Sequence, residues 1–414
     1  MNASSSSSSP PQTQTQTAWT YTTQGLPRQI LSINHNYPVP PPPSGTDLFI
    51  RVTHISLNPG CYITLEAIPT WVRRLVSGGK TEYVPEGEFS GIVVSVGSDV
   101  GDNSSSSSST PSPSSDSNAD PKFTSFQQFK PGTRVFGCLP VPSLLGGSGT
   151  LAQFISVPST QVCVVPSKNM TMAEAAGLSG AGLTAWAMLN EVPGYGVSEI
   201  EREGSKPRVF INGGSGGVGT MLIQLAKAQG AYVVATCSER SRELVKSLGT
   251  DEVIDYRANS PLPEYLSRHY SSASTRFTHI LDTIGSQSLF ESCASYLEST
   301  GVYINVGNFE GIFKTVFRAF WNEWAEVRAR WGMGFIGGVP RTYKMISTTP
   351  NGAKAAILAK MVEEGKLRVV VDEVVGFHAQ ESDGDGKGRG VLDAYDRMLA
   401  RNVMGKIVVK VQNP

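Results

Sequence analysis

The 414-residue chain lacks an excess of charge of either sign: Lys plus Arg and Asp plus Glu both number 35, so no overall basic field is present to hold a nucleic acid. Cysteine is sparse. Cys61, Cys138, Cys163, Cys237 and Cys293 lie far apart and form no C-x-x-C pair, which excludes a zinc ribbon and a disulfide framework and points to a reducing compartment, read here as the cytoplasm. The five histidines, His35, His54, His269, His279 and His378, show neither metal-ligand nor triad spacing. Nowhere do apolar residues continue for the ~18 positions that a membrane span needs. The first 19 residues, Met-Asn-Ala followed by serines, prolines and Gln-Thr repeats, contain no apolar h-region and no arginine. That composition excludes a signal peptide, disfavours a mitochondrial presequence and predicts a disordered tail over 1–19, where too little apolar surface exists to offset ordering entropy.

What is present is a strand, a tight turn and a helix within residues 208–230. Val209, Phe210 and Ile211 read as strand, and Met221, Leu222, Leu225 and Ala226 recur on one helical face before Gly230 ends it. Between them Gly214, Ser215, Gly216, Gly217, Val218 and Gly219 spell G-x-G-x-x-G. The first glycine permits the turn, the second lets backbone approach a pyrophosphate, and the third lets helix pack closely on strand. The helix N-terminus then offers N–H groups and a positive dipole end to the phosphates. The next strand, 231–236, ends in Thr-Cys-Ser with Arg240 and Arg242 close behind, and no acid closes it. Glu239 lies past the strand end beside two cations and reads as solvated. This favours NADP(H) over NAD, because an arginine accommodates a 2′-phosphate where an acid would hold ribose hydroxyls. The alternative for the arginines is the charged first turn of a helix carrying Leu244, Val245 and Leu248.

From Tyr21 to Pro166 the signals are short strands and turns, interrupted by a low-complexity Ser/Pro/Asp/Asn insertion at 101–121. From Met172 strands alternate with helices, which means a parallel sheet. The fold class is therefore α/β. The sheet is expected to be complete near residue 340, giving a substrate domain at 20–170, a cofactor domain at 171–340 and a return of 341–414 to the first domain.

Asn58-Pro59, Gly87-Glu88-Phe89-Ser90-Gly91, Phe129 to Gly137, Gly182-Leu183-Thr184-Ala185, the glycine loop, Leu248-Gly249, Val253 to Tyr256 and Gly405 to Val409 follow in an order that resembles the medium-chain dehydrogenase/reductase superfamily. The similarity is to its zinc-free, quinone-reductase-like branch, and within it to fungal oxidoreductases and reticulon-interacting reductases. The resemblance implies a GroES-like β-barrel domain built from both chain ends and a Rossmann doubly wound sheet between them. It implies no catalytic metal, since the positions matching the zinc ligands are Asn58, Gly87 and Ala181. Without a Lewis acid, an acceptor already activated by conjugation is expected: a quinone, enone, 2-alkenal or enoyl thioester, reduced by hydride from NADPH. Thr184 resembles the threonine facing the nicotinamide, Ser238, Arg242 and Tyr256 resemble contacts to the 2′-phosphate and adenosine, and Asn58 falls in the substrate cleft. Asp282 is either a site acid or a buried cap. The branch's acid after Asn-Pro is replaced by Gly60-Cys61-Tyr62, leaving Tyr62 or solvent as proton donor and Cys61 as an inert thiol. Two other roles remain open, a membrane-associated sorting adaptor and a trans-acting enoyl reductase of a polyketide pathway.

Phe313, Phe317, Phe320 and Trp324 recur at spacings of four, three and four, forming one helical stripe. Three roles are open to it: burial in the core, the lining of a pocket for a bulky hydrophobic substrate by Phe317 and Trp324, or, with Lys314, Arg318, Arg328 and Arg330, contact with a membrane surface. A monomer or homodimer is expected.

Overall fold

Strands buried on both faces need helices above and below them, which selects a parallel sheet. In the computed structural model, which describes residues 14–100, 128–197, 206–307, 312–333, 336–378 and 390–413, six such strands are joined. Their order across the sheet is Glu252–Asp255, Tyr232–Cys237, Arg208–Asn212, Phe277–Asp282, Leu297–Asn305 and Thr342–Met345, all parallel. The chain order reverses on either side of Arg208–Asn212. A crevice opens beyond the carboxyl ends at such a switch point, where open α/β sheets bind ligands.

The parallel sheet closes a few residues past 340. Its sixth strand is Thr342–Met345, which pairs Tyr343 with Tyr303. The helix Gly352–Glu363 then buries Ala355, Leu358, Ala359 and Val362 in the same core as Met221 and Leu225. A four-residue Thr-Tyr-Lys-Met strand carries one buried apolar side chain, too little for a sequence pattern.

The second sheet is mixed and has seven strands. Val371–Gly376, Lys406–Lys410, Asp47–Ser56, Glu88–Val96, Arg134–Cys138 and Val162–Val164 follow one another, with Phe154–Pro158 also paired to Asp47–Ser56. Val408 lies opposite Ser56, so the end of the chain is stitched to its beginning. The helices Pro59–Ala67 and Thr70–Val76 interrupt what reads in sequence as strands and turns.

The tail expected over 1–19 is also shorter than its composition implies. Thr15–Thr20 is a strand paired with Ser32–Pro38. Ala18 and Trp19 are buried, and the Trp19 indole donates to the Phe377 carbonyl at 2.9 Å. Burying one tryptophan removes enough apolar surface to hold a short polar strand in place. The insertion at 101–121 lies outside the described residues.

Candidate active site

The glycine loop sits at the switch point, and each glycine answers to a different neighbour. A Cβ on Gly219 would lie 2.1 Å from the Gly213 carbonyl oxygen, and one on Gly214 would lie 2.9 Å from the Ala235 Cβ. Those positions are closed by helix-on-strand packing. At Gly216 the nearest atom to an added Cβ is 3.6 Å away, so backbone there is open to approach. Gly216 is also the N-cap of the helix Gly217–Ala228 and supplies no side-chain cap, which leaves the helix's first N–H groups for an anion. Gly214, Ser215, Gly216, Gly217, Val218 and Gly219 therefore fit a dinucleotide pyrophosphate.

Behind the loop a buried polar chain fixes its shape. Thr236 Oγ1 accepts from Gly213 N and donates to Asn212 Oδ1, both at 2.9 Å, and Asn212 Nδ2 donates to Asp282 Oδ1 at 2.9 Å. Asp282 is fully buried and also accepts from Ile284 N, Gly285 N, Ser286 N and the Tyr303 hydroxyl. Both its oxygens are taken, three backbone N–H groups of the turn after the fourth sheet strand sharing them with Asn212 and Tyr303, which makes it a buried structural cap.

The strand Tyr232–Cys237 leads directly into Ser238, Arg240 and Arg242. Glu239 is not merely solvated: its carboxylate accepts from Arg242 Nε at 2.7 Å. This exposed pair is weak enough to open for a phosphate. Ser238 Oγ lies 3.5 Å from Ser241 Oγ, and Arg240 is exposed. Parallel pairing of Asp255 with Cys237 brings Tyr256 alongside, half exposed, with the Arg257 guanidinium 5.6 Å from its ring centroid. Arg257 is a cation at this edge that motif reading missed; its signal was the basic residue directly following Tyr256.

The positions matching zinc ligands converge on a lysine instead. Lys406 Nζ donates to Asn58 Oδ1 at 2.6 Å and pairs with Glu88 Oε2 at 2.8 Å. Glu88 Oε2 also accepts from Asn58 Nδ2 at 2.9 Å, while Glu88 Oε1 accepts from Ala181 N at 3.0 Å. Gly87 has no side chain to offer, and among the described residues no group of three His, Cys, Asp or Glu is placed to hold a metal. A zinc ion between Asn58 and Ala181 would meet an ammonium, so these residues do not fit one. Lys406 touches the cofactor cradle as well, since a Cβ on Gly217 would lie 2.6 Å from its Cδ, and Gly405 N donates to Ser215 O at 2.8 Å. The only sequence signal for this role was a lysine opening the Lys406–Lys410 strand directly before its apolar Ile407-Val408-Val409 run.

Thr184, on the helix Ser179–Asn190, donates to Gly180 O at 2.7 Å and meets Thr348 Oγ1 at 3.2 Å. The Tyr62 hydroxyl donates to Glu66 at 2.6 Å, and burial followed by that contact pushes it up to about 12. Cys61, in the first turn of the same helix, is raised well above its ordinary value by burial and stays a thiol.

The aromatic stripe faces outward, which overturns the core reading. On the helix Ile312–Glu323, Phe317 is 65% and Phe320 63% exposed, and Trp324 just beyond is 52% exposed. Ala319, Asn322 and Ala325 take the inner face. Phe317 stacks on Trp321 with ring centroids 6.3 Å apart, and the Arg328 guanidinium lies 4.0 Å from the Trp321 ring centroid. The side chain of Phe313 lies outside the described residues.

A family described as zinc-binding dehydrogenase matches residues 217–347. A trans-enoyl reductase of Penicillium oxalicum is 30% identical over 427 residues, covering 95% of this chain and 97% of its own. A mitochondrial NAD(P)H oxidoreductase of Drosophila melanogaster is 32% identical over 295 residues, 68% of this chain and 64% of its own. The solved structure of a quinone oxidoreductase from Coxiella burnetii superposes with a TM-score of 0.68 at 22% identity, covering 96% of this chain and 99% of that one.

Proposed function

Because the chain belongs to the medium-chain dehydrogenase/reductase superfamily and is a nicotinamide-dependent oxidoreductase, we propose that it reduces activated carbon–carbon double bonds with NADPH and without zinc. The observation that carries this is the pairing of an intact pyrophosphate cradle with a metal position filled by the Lys406 ammonium. When bound, the reduced nicotinamide supplies a hydride. The chain's own residues hold its phosphates at Gly214–Gly219, its 2′-phosphate between Ser238, Arg240, Arg242 and Tyr256, and its ring end beside Thr184.

An isolated ketone needs an electrophile at its oxygen, a cation or a strong hydrogen-bond donor, to accept hydride, and Lys406 is committed to Asn58 and Glu88. A conjugated acceptor spreads the arriving charge itself. Among such acceptors an enoyl thioester is favoured over a quinone by the near full-length similarity to a trans-enoyl reductase. Incubating the purified protein with NADPH and either an enoyl thioester or a quinone, while following cofactor absorbance, tests the reading. Oxidation with the thioester and no stoichiometric zinc by elemental analysis is the expected result. Turnover of simple alcohols that chelators abolish would overturn it.

The exposed face of Val316, Phe317, Phe320 and Trp324 supports contact with a bulky apolar acceptor or a membrane surface rather than a purely internal role. Among the described residues no helix is long and apolar enough to cross a membrane. Replacing Phe317 and Trp324 by Ala separates the two: selective loss of kcat/KM for bulky thioesters marks substrate contact, and loss of liposome binding alone marks the surface.

A further inference from the structure

The run Pro40-Pro41-Pro42-Pro43, with Pro38 two residues before it, offers carbonyl groups but no N–H, so this stretch cannot extend a strand ladder. It passes beside a strand that has an edge to share. Phe154–Pro158 pairs along one side with Asp47–Ser56. On the other side the hairpin of Thr15–Thr20 and Ser32–Pro38 takes hold where that strand starts: Trp19 N donates to Leu151 O at 3.0 Å, Gln153 N to Thr17 O at 3.2 Å and Phe154 N to Gln16 Oε1 at 2.7 Å. Farther along, Val39 N is spent on Gln14 O at 2.9 Å, and the prolines have nothing to donate. The chain there stands off from the strand. A cavity of about 560 Å3 is lined by Pro38–Pro41 and by Phe154–Ser156, a volume within the range of small-molecule pockets.

This slot is apolar inside and charged at its mouth. Val84, Leu139 and Ala152 are buried against it, and the Phe154 ring is fixed by stacking on Phe49 with centroids 5.5 Å apart. Lys80 also lines it and is exposed. Its ammonium donates to the Ser148 hydroxyl at 3.0 Å, and among the described residues no carboxylate pairs with it. A neutral hydroxyl is a weak counterpart for an ammonium, and an anionic oxygen makes the stronger bond. Glu82, the acid that shares this lining, is engaged elsewhere, its Oε1 accepting from Asn34 Nδ2 at 2.8 Å. The slot is separate from the site described above: none of Asn58, Thr184, Gly214–Gly219 and Lys406 lines it.

We propose that the slot is a second ligand site, one for a long-chain carboxylate. The alkyl chain lies between the proline strap and the Phe154 strand, against Val84 and Leu139, and the carboxylate meets the Lys80 ammonium at the mouth. Rigid prolines suit this task, because a wall that is already ordered loses little freedom when the chain is bound.

The test follows the fluorescence of dansylaminoundecanoate and its displacement by octanoate, decanoate and dodecanoate. One probe per protein chain is expected, with competitor affinity rising about fourfold for each added CH2. Lys80→Ala should weaken dodecanoate about tenfold and leave dodecanol unchanged, since only the former carries the charge. Ser156→Trp, at a half-buried lining position, should fill the slot and abolish binding of both. If that variant fails to fold, Thr81→Trp, at an exposed lining position, carries the same test. Saturating NADPH should leave the probe in place, and so should Phe317→Ala, which alters the other exposed apolar surface. Displacement by NADPH, loss in Phe317→Ala but not in the filled variants, or affinity indifferent to chain length overturns the assignment. Phosphatidylglycerol vesicles should sediment as much of Ser156→Trp as of the wild type; a deficit in the variant would assign the slot to a bilayer lipid and overturn the free carboxylate. Binding is read without turnover, so these outcomes are independent of the reduction proposed above.

Discussion

Replacing Lys406 by Met is the most direct perturbation of the joint between the two sheets. The ammonium is 4% exposed, its partner Glu88 is 0% exposed, and the pair is closed at 2.8 Å with Asn58 Oδ1 and the Leu57 carbonyl as further acceptors. Methionine matches the aliphatic stem, so packing under Gly217 is kept while the charge is lost. What remains is a buried Glu88 carboxylate facing no cation, and breaking such a pair from one side costs about 3–5 kcal/mol. At this chain size that corresponds to a fall in Tm of roughly 3–6 °C. Thermal unfolding followed by near-ultraviolet circular dichroism reads the loss. Adding Glu88→Gln to Lys406→Met removes the orphaned charge and should restore more than half of the stability, because the two positions are coupled. A single variant within about 1 kcal/mol of the wild type, or a double variant whose losses simply add, would refute the claim that this ion pair ties the metal position shut.

Gly219→Ala should abolish cofactor binding and lower stability by about 2 kcal/mol or more, because its Cβ would fall 2.1 Å from a backbone oxygen that cannot rotate away; intrinsic fluorescence with NADPH titration reads both. Arg242→Ala and Arg257→Ala should weaken NADPH binding while leaving NADH binding unchanged, and their thermal unfolding should match the wild type since the Arg242–Glu239 pair is surface-exposed. Equal loss for both cofactors would count against the 2′-phosphate assignment. His279 is fully buried, and burial holds it down to about 4, so the unfolded chain binds this proton at a higher pH than the folded one. Its contribution, about 3 kcal/mol, is present above pH 6.5 and lost as pH falls from there toward 4. Urea midpoints measured between pH 7.5 and 4 should fall more steeply in the wild type than in His279→Gln.

Local chemistry by itself determined the cofactor cradle. Strand, turn and helix in residues 208–230 follow from contiguous residues, because a Cβ at Gly214 or Gly219 would clash within the same unit or its neighbouring strand. The Thr171–Glu174 capping box is equally local. The parallel sheet was legible too, since apolar strands alternating with helices have one economical way to be buried. Tertiary structure decided the rest. The 3.6-residue period of Phe317, Phe320 and Trp324 specifies an apolar face but says nothing about what covers it, and only the inward packing of Ala319, Asn322 and Ala325 turned that face outward. Thr15–Thr20 became a strand because Trp19 meets Phe377, 358 residues away. The metal position was closed by Lys406 across 348 residues, and Glu86 met Tyr395 across 309. Charge pairing inside a core depends on which chains the sheet register brings together, and register between distant strands is a property of the whole fold that no local spacing encodes.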